Sequence, residues 1–106
     1  MNKQGIKGIV WGKTLERALL KLEKIKSDYT HANIEVVKEQ KNQWSHFILF
    51  SNGDEWYAVR AAENQRGRRC NVSFIDDMID TELVNTVIKP ITKMPPFSIW
   101  QHYRVE

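Results

Sequence analysis

Leu15, Ala18, Leu19, Leu22, Ile25 and Tyr29 recur at spacings of three and four, and this single apolar stripe predicts a helix over residues 14–29. Thr14 suits its N-cap and Glu16 its first turn, while Arg17, Lys21 and Lys24 form a basic stripe on the solvent side. A second, shorter helix is predicted after Asp80 over TELVNTVIK, with Leu83, Val84, Val87 and Ile88 facing inward and Pro90 as its stop. The remaining apolar runs read as strands over residues 6–11, 34–40, 44–51, 55–62, 71–75 and 97–105. Asn52-Gly53, between the third and fourth of these, is a strong hairpin signal. The order strand, helix, three meandering strands, strand, helix, strand predicts an α+β domain spanning residues 1–106. Its expected form is a mostly antiparallel sheet of about five to six strands with two helices packed on one face.

Composition narrows the class. With 106 residues, 42% hydrophobic and 27% charged, the chain is an ordinary small globular domain. Its net charge of +3 tolerates an anionic partner without requiring one. The lone Cys70 excludes an internal disulfide and argues against a cysteine-rich zinc site, which fits a reducing cytoplasm. No apolar run approaches the roughly 18 residues of a membrane helix, and MNKQGIKG lacks the apolar block of a signal peptide. The expectation is a cytoplasmic protein with no membrane partner and no cofactor.

Three constellations carry candidate chemistry. Gly12, Lys13 and Thr14 follow a strand and open a helix, where free amides and the helix dipole favour an anion; a capped helix after a tight turn is the simpler account of them. They also end GIVWGKT, which is one residue short of a phosphate-binding loop, because the glycine that should stand at position 7 is Gly8. Arg60, Arg66, Arg68 and Arg69 crowd ten residues around Gly67, and arginine forks suit phosphate; salt bridges to Glu63 and Asp76 are the alternative. Trp56 and Tyr57 point to opposite faces of one strand, so one of them is a candidate for base stacking, with Asn71 reading a polar edge. Trp11, Trp44 and Trp100 read as core or subunit-contact residues. Asp76, Asp77 and Asp80 could hold Mg²⁺ or, more simply, cap the next helix and pair with arginines, and no metal site is assigned. His31, His46 and His102 show no ligand spacing and no evident partner, and no nucleophilic triad is readable.

From Phe47 onward, FSNGDEWYAVRAAENQRGRRCNVSFIDDMIDTELVNTVIKPI resembles the ATPase core of phage terminase large subunits. In that family a hairpin with an N-G turn precedes an R-G-x-R-x-N segment, then a strand ending in Asp-Glu, a helix and a proline. The resemblance implies that Asp76 orders Mg²⁺, that Asp77 stands at the catalytic glutamate, and that Gly12-Lys13-Thr14 is the remnant of the phosphate loop. The chain departs from the family in its shortened loop, in the shorter Asp77, and in lacking the length for a complete core.

These readings point to binding rather than catalysis. The expected protein is phage-encoded and non-enzymatic, and captures a nucleotide-like anionic ligand between Arg60, Arg66, Arg68, Arg69, Asn71 and Trp56 or Tyr57. It acts as a homo-oligomer and could be an anti-defence sponge of cyclic-nucleotide signals. The alternative is a degenerate P-loop NTPase or a nucleic-acid-binding packaging accessory. A protein-binding inhibitor of a host factor is also compatible.

Overall fold

The computed structural model describes residues 5–65 and 67–105. Six strands form one sheet: β1 (Lys7–Gly12), β2 (Val36–Lys41), β3 (Ser45–Phe50), β4 (Glu55–Arg60), β5 (Val72–Asp76) and β6 (Ile99–Tyr103). Their order is β2-β3-β4-β1-β5-β6. The α+β class and the strand number match the sequence pattern, but the pairing is more mixed than expected. β2, β3 and β4 are antiparallel, whereas β1 runs parallel to both β4 and β5, and β5 runs parallel to β6. A hairpin leaves a turn signature in the sequence; a parallel pair, joined by a long crossover, leaves none.

β1 lies at the centre, and Ile9, Val10 and Trp11 are all fully buried. A continuous apolar run of this kind marks a strand covered on both faces. That is why the helices do not share one face. Helix α1 (Leu15–His31) lays Ala18, Leu22 and Ile25 over Val10, Ile48, Phe50, Trp56 and Ala58. On the opposite face, Val84, Val87, Ile88 and Ile91 cover Ile9, Trp11, Val59 and Ile75.

Local chemistry sets the boundaries. The Thr14 hydroxyl accepts the Arg17 N–H at 3.2 Å and starts α1. Asn33, at φ 64°, ends it, as a residue tolerant of the left-handed region should. Asp80 accepts the Glu82 N–H and opens the second helical stretch. Pro90 does not stop that stretch. A turn of α2 (Thr81–Leu83) widens into a π turn (Val84–Ile88) and passes through Pro90 into α3 (Lys89–Ile91). The Lys89 N–H already reaches back five residues to the Val84 carbonyl, so the wide turn accommodates a residue without a donor.

The hairpin turn also pins the far end of α1. The Tyr29 hydroxyl donates to Asp54 at 2.6 Å and accepts from the Trp56 indole at 2.9 Å, while Asp54 accepts the Ile6 N–H. Burial and the Asp54 carboxylate push the Tyr29 phenol well above its usual range, so it remains a neutral donor. Among the other tryptophans, Trp11 is core, whereas Trp44 is largely exposed and Trp100 about half exposed. His46, expected to have no partner, is buried and meets Glu39 of the neighbouring strand at 2.6 Å, with Lys26 on the other carboxylate oxygen.

Candidate functional site

β1 and β5 are parallel neighbours with Trp11 opposite Ile75, so their carboxyl ends deliver Gly12 and Asp76 side by side beneath the start of α1. In open α/β sheets this is the edge where ligands bind. Here the position is filled from within. The Asp76 carboxylate accepts the Lys13 N–H at 3.0 Å and the Met78 N–H at 3.1 Å. It is also forked by Arg17, with Nε at 2.6 Å and Nη2 at 2.9 Å. The side chain is 0% exposed. Burial alone would raise its pKa, but the Arg17 guanidinium and the two amides outweigh burial and hold it at about 2.

This geometry answers what Gly12-Lys13-Thr14 does. Only Lys13 and Thr14 separate β1 from α1, so no loop remains to wrap a phosphate. The N–H that would face one is bonded to an internal carboxylate, which serves as the helix's own anion. Gly12 is required for close packing: a Cβ there would lie 2.3 Å from the Thr14 carbonyl oxygen and 2.7 Å from the Ala18 nitrogen, both backbone atoms. The arrangement does not fit a magnesium site either. Each Asp76 oxygen already accepts two N–H groups, and a guanidinium stands against the carboxylate where a cation would have to sit.

The predicted arginine clamp divides. Arg60 and Lys13 share one open groove with Ala61, Ile79, Asp80 and Leu83. Arg68 and Arg69 line another of about 290 Å³, with Gly67 and the helical wall from Thr86 to Ile91. Arg66 lies outside the described residues. Arg68 is held by Gln65 at 2.7 Å and lies over the Tyr57 ring at 5.4 Å, so Tyr57, half-buried beside Phe47, is the aromatic that meets an arginine. Burial, aided by Glu55, raises the Tyr57 phenol pKa, so it is a neutral ring at physiological pH.

Two predicted site residues are elsewhere. Trp56 is buried, stacked on Phe74 and bonded to Tyr29, which removes its face from any base. Asn71 is buried, and its amide is consumed internally. Its Oδ1 accepts the Lys7 N–H, and its Nδ2 donates to the carbonyls of Met94, Pro95 and Phe97. A polar residue opening a strand gives no sign of this, because its partners arrive from both ends of the chain. Cys70 is buried beside Ser73, and burial pushes its thiol pKa up, away from reactivity.

Arg17 is the residue closing the Asp76 position that sequence reasoning missed. It reads as one member of a solvated stripe. The available signal was its place three residues after the cap Thr14, in the first helical turn, which aims it back toward the strand ends.

No protein-family model matches the chain, and no curated protein matches it. Solved structures do. The large terminase of a thermophilic bacteriophage, in complex with ADP, superposes with a TM-score of 0.65 at 18% identity, covering 93% of this chain and 26% of that one. The same protein in complex with ATP-gamma-S superposes at 0.63 and 17%, covering 93% and 25%. The likeness therefore reaches beyond the segment that carries the sequence resemblance, although the chain spans only about a quarter of the length of those structures. At 17–18% identity it is a likeness of fold: over 93% of its length this chain folds as part of a phage large terminase folds.

Proposed function

We propose that this chain is a non-hydrolysing binding protein on a terminase-like fold, and that it takes a phosphate-bearing ligand, nucleotide or nucleic acid, on an open basic surface as an accessory to phage DNA handling. One observation carries the reading: the aspartate that the resemblance assigns to magnesium is closed on Arg17 and on the Lys13 amide. Freeing it for a metal would leave a part-buried guanidinium unpaired and two amides orphaned, at a cost of several kcal/mol. The net charge of +3 and the fold shared with a protein solved with ADP and ATP-gamma-S support a phosphate ligand.

A second reading is favoured by Arg68 over Tyr57 beside Arg69, which is the chemistry of stacking a base and clamping its phosphate. In that form the protein would sequester a small cyclic nucleotide. Because the groove is open, it would need a second copy to enclose the ligand, which native mass spectrometry would detect as a ligand-bearing oligomer.

The test is to incubate the protein with labelled ATP and Mg²⁺, recover the nucleotide after heat denaturation and measure binding in parallel. Nucleotide is expected back intact. Phosphate release that disappears in Lys13→Ala, an exposed position, would overturn the non-hydrolysing reading.

A further inference from the structure

Resting on that reading, we propose that the phosphate ligand is a nucleic-acid backbone, and that the cleft between α1 and the end of β6 receives it. The cleft measures about 120 Å³ and is lined by Leu20, Lys21, Lys24, Tyr103, Arg104 and Val105. Three of these six are cations, and no carboxylate lines it among the described residues. The basic stripe of α1 thus splits in two. Arg17 is neutralised by Asp76 beneath the helix start, whereas Lys21 and Lys24, farther along the same flank, face Arg104 across an apolar floor.

Among the described residues Lys21 and Lys24 form no ion pair, and Arg104 forms only a long one. The Lys21 ammonium lies 4.7 Å from the Phe74 ring centroid and 5.9 Å from that of Tyr103, a contact that positions its charge and leaves it available. Arg104 is 80% exposed, and its Nε stands 3.7 Å from Asp77, a surface pair worth no more than about 1 kcal/mol and easily exchanged for a phosphate. Tyr103 forms a fixed wall: its hydroxyl donates to the Trp11 carbonyl at 2.9 Å, and burial keeps it protonated. Leu20, 55% exposed, offers apolar surface at the rim for a sugar.

Size selects the polymer. Sites that enclose a whole drug-sized ligand span about 300–1,000 Å³. A cleft of about 120 Å³ lies below that range and matches a single phosphate group. A backbone meets that condition, because it presents single phosphates while its bases remain outside, and its affinity grows with each counterion released.

The experiment is fluorescence anisotropy of short labelled single- and double-stranded DNA across a salt series, comparing wild type with Lys24→Gln/Arg104→Gln and, as a control of equal charge change on the exposed edge strand β2, Lys38→Gln/Lys41→Gln. Both cleft residues are exposed, so thermal melting should be unchanged. The cleft variant is expected to lose roughly tenfold in affinity and to lower the slope of log K against log salt by about 2, one for each phosphate contact. The control should leave that slope as it is. If wild type binds DNA and the cleft variant binds with the same slope, the cleft assignment fails and the broader reading survives. If ATP or inorganic phosphate displaces the DNA as readily as unlabelled DNA does, the site takes a small anion and the backbone assignment fails. If wild type binds neither nucleotide nor DNA, the proposed function falls and the cleft falls with it.

Discussion

Arg17→Met is expected to destabilise the protein by about 3–5 kcal/mol, because it leaves the Asp76 carboxylate charged, buried and without a counterion. In a domain of this size that corresponds to a melting temperature lower by roughly 15 °C or more. The cost comes mainly from the carboxylate left behind, not from the net worth of the ion pair, whose attraction is largely offset by the desolvation of both charges. Adding Asp76→Asn to Arg17→Met should therefore recover part of the loss, since a neutral amide is cheaper to bury and its oxygen can still accept the Lys13 N–H. Urea unfolding of wild type, both single variants and the double variant completes the cycle. Strict additivity of the two single effects would show that the two side chains do not act as a unit.

The same pair sets the acid limit of the fold. The folded state holds the Asp76 carboxyl at about 2, below its ordinary value of 3.8, so it binds the proton less tightly than the unfolded chain does. Lowering the pH then favours unfolding. The contribution, about 2 kcal/mol, is fully present above about pH 4 and is lost as the pH falls toward 2. Stability curves measured by urea unfolding across that window should be steep for wild type and flatter for Arg17→Met, which lacks the main group that depresses this pKa.

Asn71→Ala is the second large effect, expected at about 3 kcal/mol. Truncation strands the Lys7 N–H and removes the donor shared by the Met94, Pro95 and Phe97 carbonyls, each a group whose unmade hydrogen bond costs about 1–3 kcal/mol when water cannot replace it. The residue ties the first strand to the segment that leads into the last. Asn71→Asp should fare no better, because a carboxylate oxygen would then face those three carbonyls. Both are read by thermal melting alongside ligand binding. A residue that reads a ligand would weaken binding and spare stability; loss of stability is the result expected here.

Much of the local architecture is legible in the amino-acid order. The α1 stripe, its Thr14 cap, the hairpin at Asn52-Gly53, the strand ending at Asp76 and the Asp80 cap all depend on residues within a few positions of one another, and all appear in the structure where the pattern places them. The shortness of the Gly12-Lys13-Thr14 turn is likewise countable in the chain. The ends of elements are less legible: α1 runs on to His31 until Asn33 turns left-handed, and Pro90 is carried inside a helical stretch that a π turn has widened. The arginine clamp, which splits into Arg60 with Lys13 and Arg68 with Arg69, is contiguous in the chain only because sequence distance is small. β4, which ends at Arg60, and β5, which begins at Val72, flank β1 on opposite sides.

Sequence by itself determined the elements, their class and the loss of a full phosphate loop, because periodicity, capping and turn preference act over distances of a few residues. Tertiary structure alone decided that Arg17 meets Asp76, that Asn71 faces three carbonyls, and that Lys21 and Lys24 open onto Arg104. Those partners lie tens of residues apart, and the parallel pairing of β1 with β4 and β5 that brings strand ends together has no local signature in the order of amino acids.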